Sequence, residues 1–201
     1  MENKNILVTG ARGYLASALI NKLEKYNTII PYEFDVRDTI DESSAPNMIL
    51  HFACPSDDFE FLDKQKTAST IINGTVNLLE VAKYNNAKFV FASTMGVYRP
   101  AIDDIYCTCK LAMENYIKSV YNNYIVLRIP RIYSKCRQKG LMRKIRDYMI
   151  PEQDMKKQIE YVTLDDFVSQ TLPILTKTNI THEYNITQKR SIREIKQWVE
   201  A

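Results

Sequence analysis

The segment Tyr106-Cys107-Thr108-Cys109-Lys110 carries a phenol and an ammonium four residues apart. On a helix both side chains fall on one face. An ammonium beside a phenol lowers its pKa, so the phenol can exchange a proton near neutral pH. Upstream, Ser93-Thr94 follows the apolar run Lys88 to Ala92. A hydroxyl at the carboxyl end of a strand can hydrogen-bond an oxygen that is being oxidised or reduced. The chemistry of Thr94, Tyr106 and Lys110 is then proton transfer at such an oxygen. An ordinary amphipathic helix also carries Tyr and Lys at this spacing. The pair becomes a site only through the elements around it.

The first such element is a turn. The chain has five glycines, and Gly10 and Gly13 share the stretch Thr9-Gly10-Ala11-Arg12-Gly13-Tyr14-Leu15-Ala16. The strand Asn5 to Val8 precedes it, and a helix from about Gly13 to Lys25 follows. Gly10 permits a tight turn, Gly13 lets backbone approach a pyrophosphate, and Ala16 is small where helix packs on strand. The free N–H groups and dipole of the helix start favour phosphate. A plain strand-to-helix loop can hold two glycines by chance. The strand before and the helix after favour a dinucleotide site. Glu33, beyond the second strand, stands where an acidic residue holds an adenosine ribose, with Asp35-Val36-Arg37-Asp38 next to it. Arg12 argues the other way, since a guanidinium in the loop suits a 2′-phosphate. NAD and NADP both stay open, with Arg12 tilting the reading to NADP.

The remaining elements fit one architecture. Strands at 28–31, 48–52, 88–92 and 124–128 alternate with helices at about 66–85 and 106–121. Strand–helix alternation means parallel pairing through crossovers, hence an α/β doubly wound parallel sheet of the Rossmann type. After Arg128 the pattern loosens. Helical stretches near 138–149, 164–176 and 191–200 surround a short strand from Glu183 to Ile186. Residues 1–130 read as the dinucleotide-binding domain and 131–201 as a small substrate-binding region packed on it. The chain has 201 residues, 45% of them hydrophobic and 25% charged, which is ordinary for a globular protein. A net charge of +3 is too small to argue for nucleic acid. No apolar run reaches the roughly 20 residues of a membrane helix. The polar start Met1 to Asn5 does not read as a signal peptide, so a cytoplasmic location is expected. Cys54, Cys107, Cys109 and Cys136 show no disulfide-framework spacing and read as thiols. Cys107 and Cys109, with only His51 and His182 elsewhere, make no metal site. His51 reads as structural, and Trp198 as a core anchor.

Together these pieces resemble the extended short-chain dehydrogenase/reductase family of nucleotide-sugar epimerases, dehydratases and reductases. Thr9 to Ala16 is similar to its TGxxGxxG/A turn, and His51-Phe52-Ala53 to its HxA strand end. Gly74-Thr75-Val76-Asn77-Leu78-Leu79-Glu80 is similar to GTxNLLE, and Phe91 to Tyr98 to xxSSxxVY. Tyr106 and Lys110 fit YxxxK. Leu127-Arg128 with Ile132-Tyr133 is similar to LRPxxVYG, Tyr161 to Asp166 to YVxVDD, and Tyr184-Asn185-Ile186 to YNIG. The resemblance implies that Tyr106 is the general acid/base, that Lys110 lowers its pKa and holds the nicotinamide ribose, and that Thr94 orients the substrate oxygen. The implied cofactor residues are Gly10, Arg12, Gly13, Tyr14, Leu15, Glu33, Asp35, Val36, Phe52, Ala53, Cys54, Tyr106, Lys110 and Ile129.

The departures from the pattern concern the substrate half. Met95 and Gly96 stand where the dehydratases carry Asp-Glu, which disfavours dehydration. Ile71 replaces an Asn, and Arg131 stands in place of the Asn of the VYG segment. The loop Arg99 to Ile105 is short. In the basic stretch Lys135 to Arg146 most charges read as a solvated face, while one or two, such as Arg143 together with Arg131, suit a nucleotide-sugar diphosphate. The implied function is an NAD(P)-dependent oxidoreductase on a nucleotide-linked sugar, as 4-keto reductase or epimerase, in a homodimer formed through the helices at 66–85 and 106–121. The rival is a catalytically inactive, dinucleotide-binding regulatory or scaffold protein of the same fold.

Overall fold

The computed structural model describes residues 1–38, 40, 45–57, 59–98 and 104–200. Six parallel strands form the central sheet in the order β2-β1-β3-β4-β5-β7. They are β1 (Asn5–Thr9), β2 (Thr28–Tyr32), β3 (Met48–His51), β4 (Lys88–Thr94), β5 (Tyr124–Ile129) and β7 (Ile180–Glu183). The period-2 alternation of strand side chains sorts them into two cores. Ile6, Val8, Met48, Leu50, Val90, Ile125 and Leu127 face one way, against α1 (Tyr14–Leu23) and α5 (Leu164–Ile174). Leu7, Ile49, Phe89, Phe91 and Val126 face the other way, against α2 (Lys64–Tyr84) and α3 (Ile105–Val120). The four inner strands are buried on both faces, which explains their near-continuous apolar sequences.

Local signals set the helix ends. Asp63 accepts the Lys66 N–H at 2.9 Å to start α2. Asp104 accepts the Cys107 N–H at 2.9 Å to start α3, two residues before Tyr106. Thr163 and Asp166 form a capping box at the start of α5.

The C-terminal region departs from the sequence reading. The strand lies at Ile180–Glu183, upstream of the expected 183–186. Its register on Ile125 to Arg128 fills the sheet edge, and Tyr184 instead turns its ring into the core, its hydroxyl 2.7 Å from that of Thr171. The helix expected near 138–149 is only α4 (Leu141–Arg146). Gly140 (φ 61°) and Tyr148 (φ 54°) hold left-handed backbone at its two ends. An antiparallel pair, β6 (Gln158–Tyr161) with β8 (Gln188–Ser191), went unanticipated. With α4 and α6 (Ile192–Glu200) it encloses a third core of Met142, Ile145, Tyr161, Ile192 and Ile195, against which Trp198 packs. Within residues 131–201, α5 and β7 return to the main sheet and its core.

One buried charge fastens α3 to the sheet. Glu114 has no exposed side-chain surface. It accepts from Ser93 at 2.6 Å and from the Arg128 guanidinium at 2.8 Å, with Lys118 at 3.4 Å. Burial pushes its pKa up, but the Arg128 and Ser93 hydrogen bonds outweigh burial and hold it below the usual value. A depressed folded pKa means stability that is complete above the ordinary glutamate pKa and lost as pH falls through the folded one. Glu114→Gln is expected to cost about 2 kcal/mol at neutral pH, the scale of a lost charged hydrogen bond. The gap to wild type should narrow in acid, which urea unfolding at pH 7 and pH 4 would measure.

Candidate active site

The turn after β1 is built around Gly10. Its φ is 65°, and a Cβ there would sit 2.9 Å from the Ala53 nitrogen, so both conformation and space demand glycine. Gly13 donates its N–H to the Gly10 carbonyl at 2.7 Å and caps α1. Among the described residues no side chain caps this helix, and its first turn holds no acid. Its leading N–H groups thus suit an anion, and the turn fits a dinucleotide diphosphate. Ala16 lies buried against the sheet.

His51 fixes the turn from beneath. Thr75 donates its hydroxyl to the Ile71 carbonyl at 2.5 Å, so its oxygen is left to accept from His51 Nε2 at 3.2 Å. His51 Nδ1 must then accept the Thr9 hydroxyl at 2.8 Å, and the Thr9 oxygen accepts the Ala53 N–H at 3.2 Å. Every donor has one acceptor only if His51 is neutral with its proton on Nε2. Burial, and secondarily the Lys110 charge, keeps its pKa well below the usual histidine value.

The end of β2 carries the residues that sequence assigned to the adenosine. Arg12 and Glu33 pair with each other at 2.5 Å, both exposed. The two side chains that argued for different cofactors thus neutralise each other in the free protein. Asp35 is held by the Arg37 side chain at 2.9 Å, which draws its pKa down to about 2. Asn77 donates to the Val36 and Asp38 carbonyls at 3.0 and 2.9 Å, fixing this loop to α2. A cleft of about 410 Å³ opens here, lined by Asp35, Val36, Ala53 and Cys54 among others. Phe52 meets Phe167 edge-on at 6.4 Å, Leu15 packs against the same core, and Ile129 is buried at the end of β5.

Tyr106 and Lys110 do share one face of α3, as the spacing required. Their relation differs from the expectation. Lys110 is buried and donates to the Ala92 carbonyl at 2.7 Å, with its ammonium 4.5 Å from the Phe91 ring centre and 5.7 Å from that of Tyr106. The Tyr106 pKa is not lowered. Burial raises it well above the usual tyrosine value, and the neighbouring Cys54, Cys107 and Asp104 add to the rise. The long lysine side chain instead reaches back to a backbone carbonyl of β4. Thr94 ends β4 and accepts the Gly96 N–H at 3.1 Å. A Cβ on Gly96 would lie 2.5 Å from Cys107 Sγ, so position 96 has no room for a carboxylate side chain. Gly96 also brings the end of β4 against the first turn of α3, setting Thr94 beside the Tyr106 turn.

Several residues around Tyr106 escaped the sequence reading. Phe61 stacks on its ring, centres 4.8 Å apart. Glu60 pairs with Lys139 at 3.0 Å, and Asp57 accepts the Gly140 N–H at 3.2 Å. Arg143, an expected substrate residue, stands 4.3 Å over Phe59 and 4.0 Å from Asp57. Arg131 is exposed just past β5, its carbonyl accepting the Val162 N–H at 3.0 Å. Arg137, read as part of a solvated face, is half-buried instead. It donates to the Ile132 carbonyl at 2.9 Å and lies 5.8 Å from the Tyr14 ring centre. Burial lowers its pKa, against the pull of the phenols of Tyr133, Tyr14 and Tyr106. The Tyr14 hydroxyl bonds Ser134. No local pattern announces these contacts, since each joins segments far apart in the chain. The part of the short loop at 99–103 lies outside the described residues. Among the described residues no group of three or more His, Cys, Asp or Glu side chains could hold a metal ion.

No curated protein sequence matches the chain. Among solved structures, the chain is similar to dTDP-4-dehydrorhamnose reductase from Bacillus anthracis in complex with NADP. The TM-score is 0.79 at 19% identity, over 99% of this chain and 80% of that one. It is similar to UDP-N-acetylglucosamine 4-epimerase from Methanobrevibacter ruminantium in complex with UDP-N-acetylmuramic acid, with TM-score 0.82 and 15% identity over 98% and 81% of the two chains. Thermus thermophilus UDP-glucose 4-epimerase in complex with NAD gives 0.79 and 17% over 97% and 82%. At such identities the likeness is one of fold. The family assignment comes from a sequence model that matches residues 6–187. On that match, with the glycine turn and the Tyr106–Lys110 helix at one edge of the parallel sheet, the chain belongs to the NAD dependent epimerase/dehydratase family.

Proposed function

We propose that this protein is an NAD(P)-dependent oxidoreductase of a nucleotide-linked sugar, working as a 4-keto reductase or an epimerase through Thr94, Tyr106 and Lys110. The observation that carries this reading is the shared face of Tyr106 and Lys110 on α3, with the Lys110 ammonium 5.7 Å from the Tyr106 ring centre, in a helix that follows the strand end at Thr94. The nicotinamide, when bound, supplies the hydride chemistry. The chain's own groups handle the proton and the substrate oxygen. With its raised pKa, the Tyr106 phenol stays protonated through neutral pH, the state needed to protonate a carbonyl oxygen as it is reduced. Lys110 gives one N–H to Ala92 and keeps others to orient a ribose hydroxyl beside the phenol. Thr94 can donate its O–H to the same substrate oxygen while accepting from Gly96. Dehydration is disfavoured, because neither Met95 nor Gly96 can serve as acid or base.

Tyr106→Phe is expected to cut turnover at least about 100-fold, the usual scale of lost acid–base catalysis, and to leave NAD(P) affinity unchanged. Assay with UDP-, dTDP- and GDP-linked sugars measures this, and undiminished turnover would overturn the assignment.

The paired Arg12 and Glu33 support use of either cofactor, with Arg12 tilting towards NADP. An exposed pair of this kind is worth about 1 kcal/mol or less, so either a ribose 2′-hydroxyl or a 2′-phosphate can break it. Arg12→Ala should move the NADP-to-NAD affinity ratio towards NAD by about tenfold, and Glu33→Gln should move it the other way. Calorimetric titration with both cofactors reads the ratio directly.

The α2 and α3 helices are proposed to pair with those of a second copy in a homodimer. Sedimentation at micromolar concentration should give twice the 23.4 kDa chain mass. A monomer would contradict it.

A further inference from the structure

Between β3 and α2 the chain makes one tight helical turn, Glu60–Leu62, and lays Phe61 against Tyr106. The ring centres are 4.8 Å apart and the planes 28° from parallel. The polar groups around the turn hold it there. The Phe61 N–H bonds the Asp57 carbonyl at 3.1 Å, and Thr67 of α2 donates to the Glu60 carbonyl at 3.3 Å. Glu60 accepts the Ser56 N–H at 2.8 Å and the Lys139 ammonium at 3.0 Å. Asp57 is buried and accepts the N–H groups of Phe59 at 3.1 Å and Gly140 at 3.2 Å. A well-fastened segment thus presents one flat ring, and that ring meets the proposed proton donor. Tyr106 needs such a surface. Helical side chains lean towards the N-terminus and rest on the preceding turn. Tyr106 is the second residue of α3 and has no preceding turn to rest on. Phe61 supplies, from another segment, the wall that the helix lacks.

We propose that Phe61 is a positioning residue for the proton donor: its ring, held by the turn at 57–60, fixes the angle of the Tyr106 phenol and keeps water from the ring it stacks on. This rests on the reading of Tyr106 as the acid. The titratable and charged groups that bear on the phenol are Cys54 after β3, Asp104, Cys107 and Lys110 at the start of α3, and Arg137 beyond β5. Phe61 carries no charge, so it acts on the phenol by contact and by excluding water. Removing it frees the ring to change rotamer and makes the phenolate less costly.

The test replaces Tyr106 by 3,5-difluorotyrosine in the full chain and follows its fluorine resonance with pH. Fluorine lowers the phenol's own pKa and brings its ionisation within reach. Phe61→Ala is expected to lower the pH of ionisation by about one unit, by admitting water to the ring. Phe61→Trp should restore it. Asp57→Ala, which loosens the turn but keeps the Phe61 ring, should fall between the two. In the chain with its natural Tyr106, assayed with NAD(P)H and UDP-, dTDP- and GDP-linked sugars, Phe61→Ala should lower kcat about tenfold, the scale of a slightly misplaced catalytic group, with KM for the sugar little changed. The basic limb of the kcat profile should move to lower pH, because the acid is then lost at a lower pH. An ionisation in Phe61→Ala that matches wild type overturns the proposal. A rise in KM alone also overturns it, by making Phe61 a wall of the substrate site. Undiminished turnover in Tyr106→Phe fells the proton-donor reading and with it the role of Phe61, an outcome separate from a phenol that ignores Phe61. Circular dichroism checks folding. Should Phe61→Ala misfold, Phe61→Leu keeps the bulk, removes the flat face and carries the same expectations in smaller measure.

Discussion

A carboxylate with no exposed surface sits between α3 and the sheet, and the position of the site depends on it. Glu114 cannot remain charged there without Ser93 on β4 and Arg128 on β5. Taking one partner from a buried ion pair is far costlier than the pair's net contribution to stability. The arrangement therefore acts less as glue than as a register mark. If α3 slid or rotated by one residue, Glu114 would lose its partners and Lys110 would leave the Ala92 carbonyl. Ala92 and Ser93 lead directly to the strand end at Thr94, so the contacts that hold α3 also fix the height of Tyr106 relative to that strand end.

A second buried polar chain does the same for the cofactor turn. Thr75 on α2, His51 on β3 and Thr9 on β1 form one line of hydrogen bonds that ends at the Ala53 N–H. Ala53 is also the backbone against which Gly10 presses. The line has a single consistent proton arrangement with His51 neutral, so it resists rearrangement. Residues that a motif reading groups as cofactor signatures are here structural in their immediate contacts. Gly74 brings α2 within reach of Val36, and Asn77 holds the carbonyls of that loop. Such motifs mark the cofactor because they shape the loops that meet it.

This explains what the sequence could reveal. The inner strands and the α1, α2 and α3 helices were legible because short apolar runs and helical periodicity are local. The glycine turn was legible because Gly10 has no substitute. The C-terminal third was not. Strand β6 reads Gln-Ile-Glu-Tyr and β8 Gln-Lys-Arg-Ser, each mostly polar and made a strand only by its partner. The Tyr106–Lys110 relation was half legible. Spacing correctly put both on one face, but the reach of Lys110 to Ala92 and the closeness of Cys54 to the phenol come from β3 and β4. A local pattern contains neither, so it predicted a lowered phenol pKa where burial raises it. Phe61, Arg137 and Asp57 lay beyond reach for the same reason.

The C-terminal region is small, yet it is not loosely attached. Asp57, Phe59 and Glu60 follow β3 and meet Lys139, Gly140 and Arg143 across a gap of about 80 residues in sequence. Lys139 and Arg143 are thus already paired with carboxylates before any ligand arrives. An anionic ligand at Arg143 must displace or share Asp57, whose carboxyl is held below its usual pKa despite burial, by the Phe59 and Gly140 N–H groups and by Arg143 and Lys139. Those backbone donors stay with Asp57 when the guanidinium leaves, so the exchange does not strand a buried charge. Because Phe61 of the same segment covers Tyr106, any adjustment of these contacts reaches the phenol directly. The segment 57–61 therefore ties the basic stretch at 139–143 and the Tyr106 ring into one set of contacts.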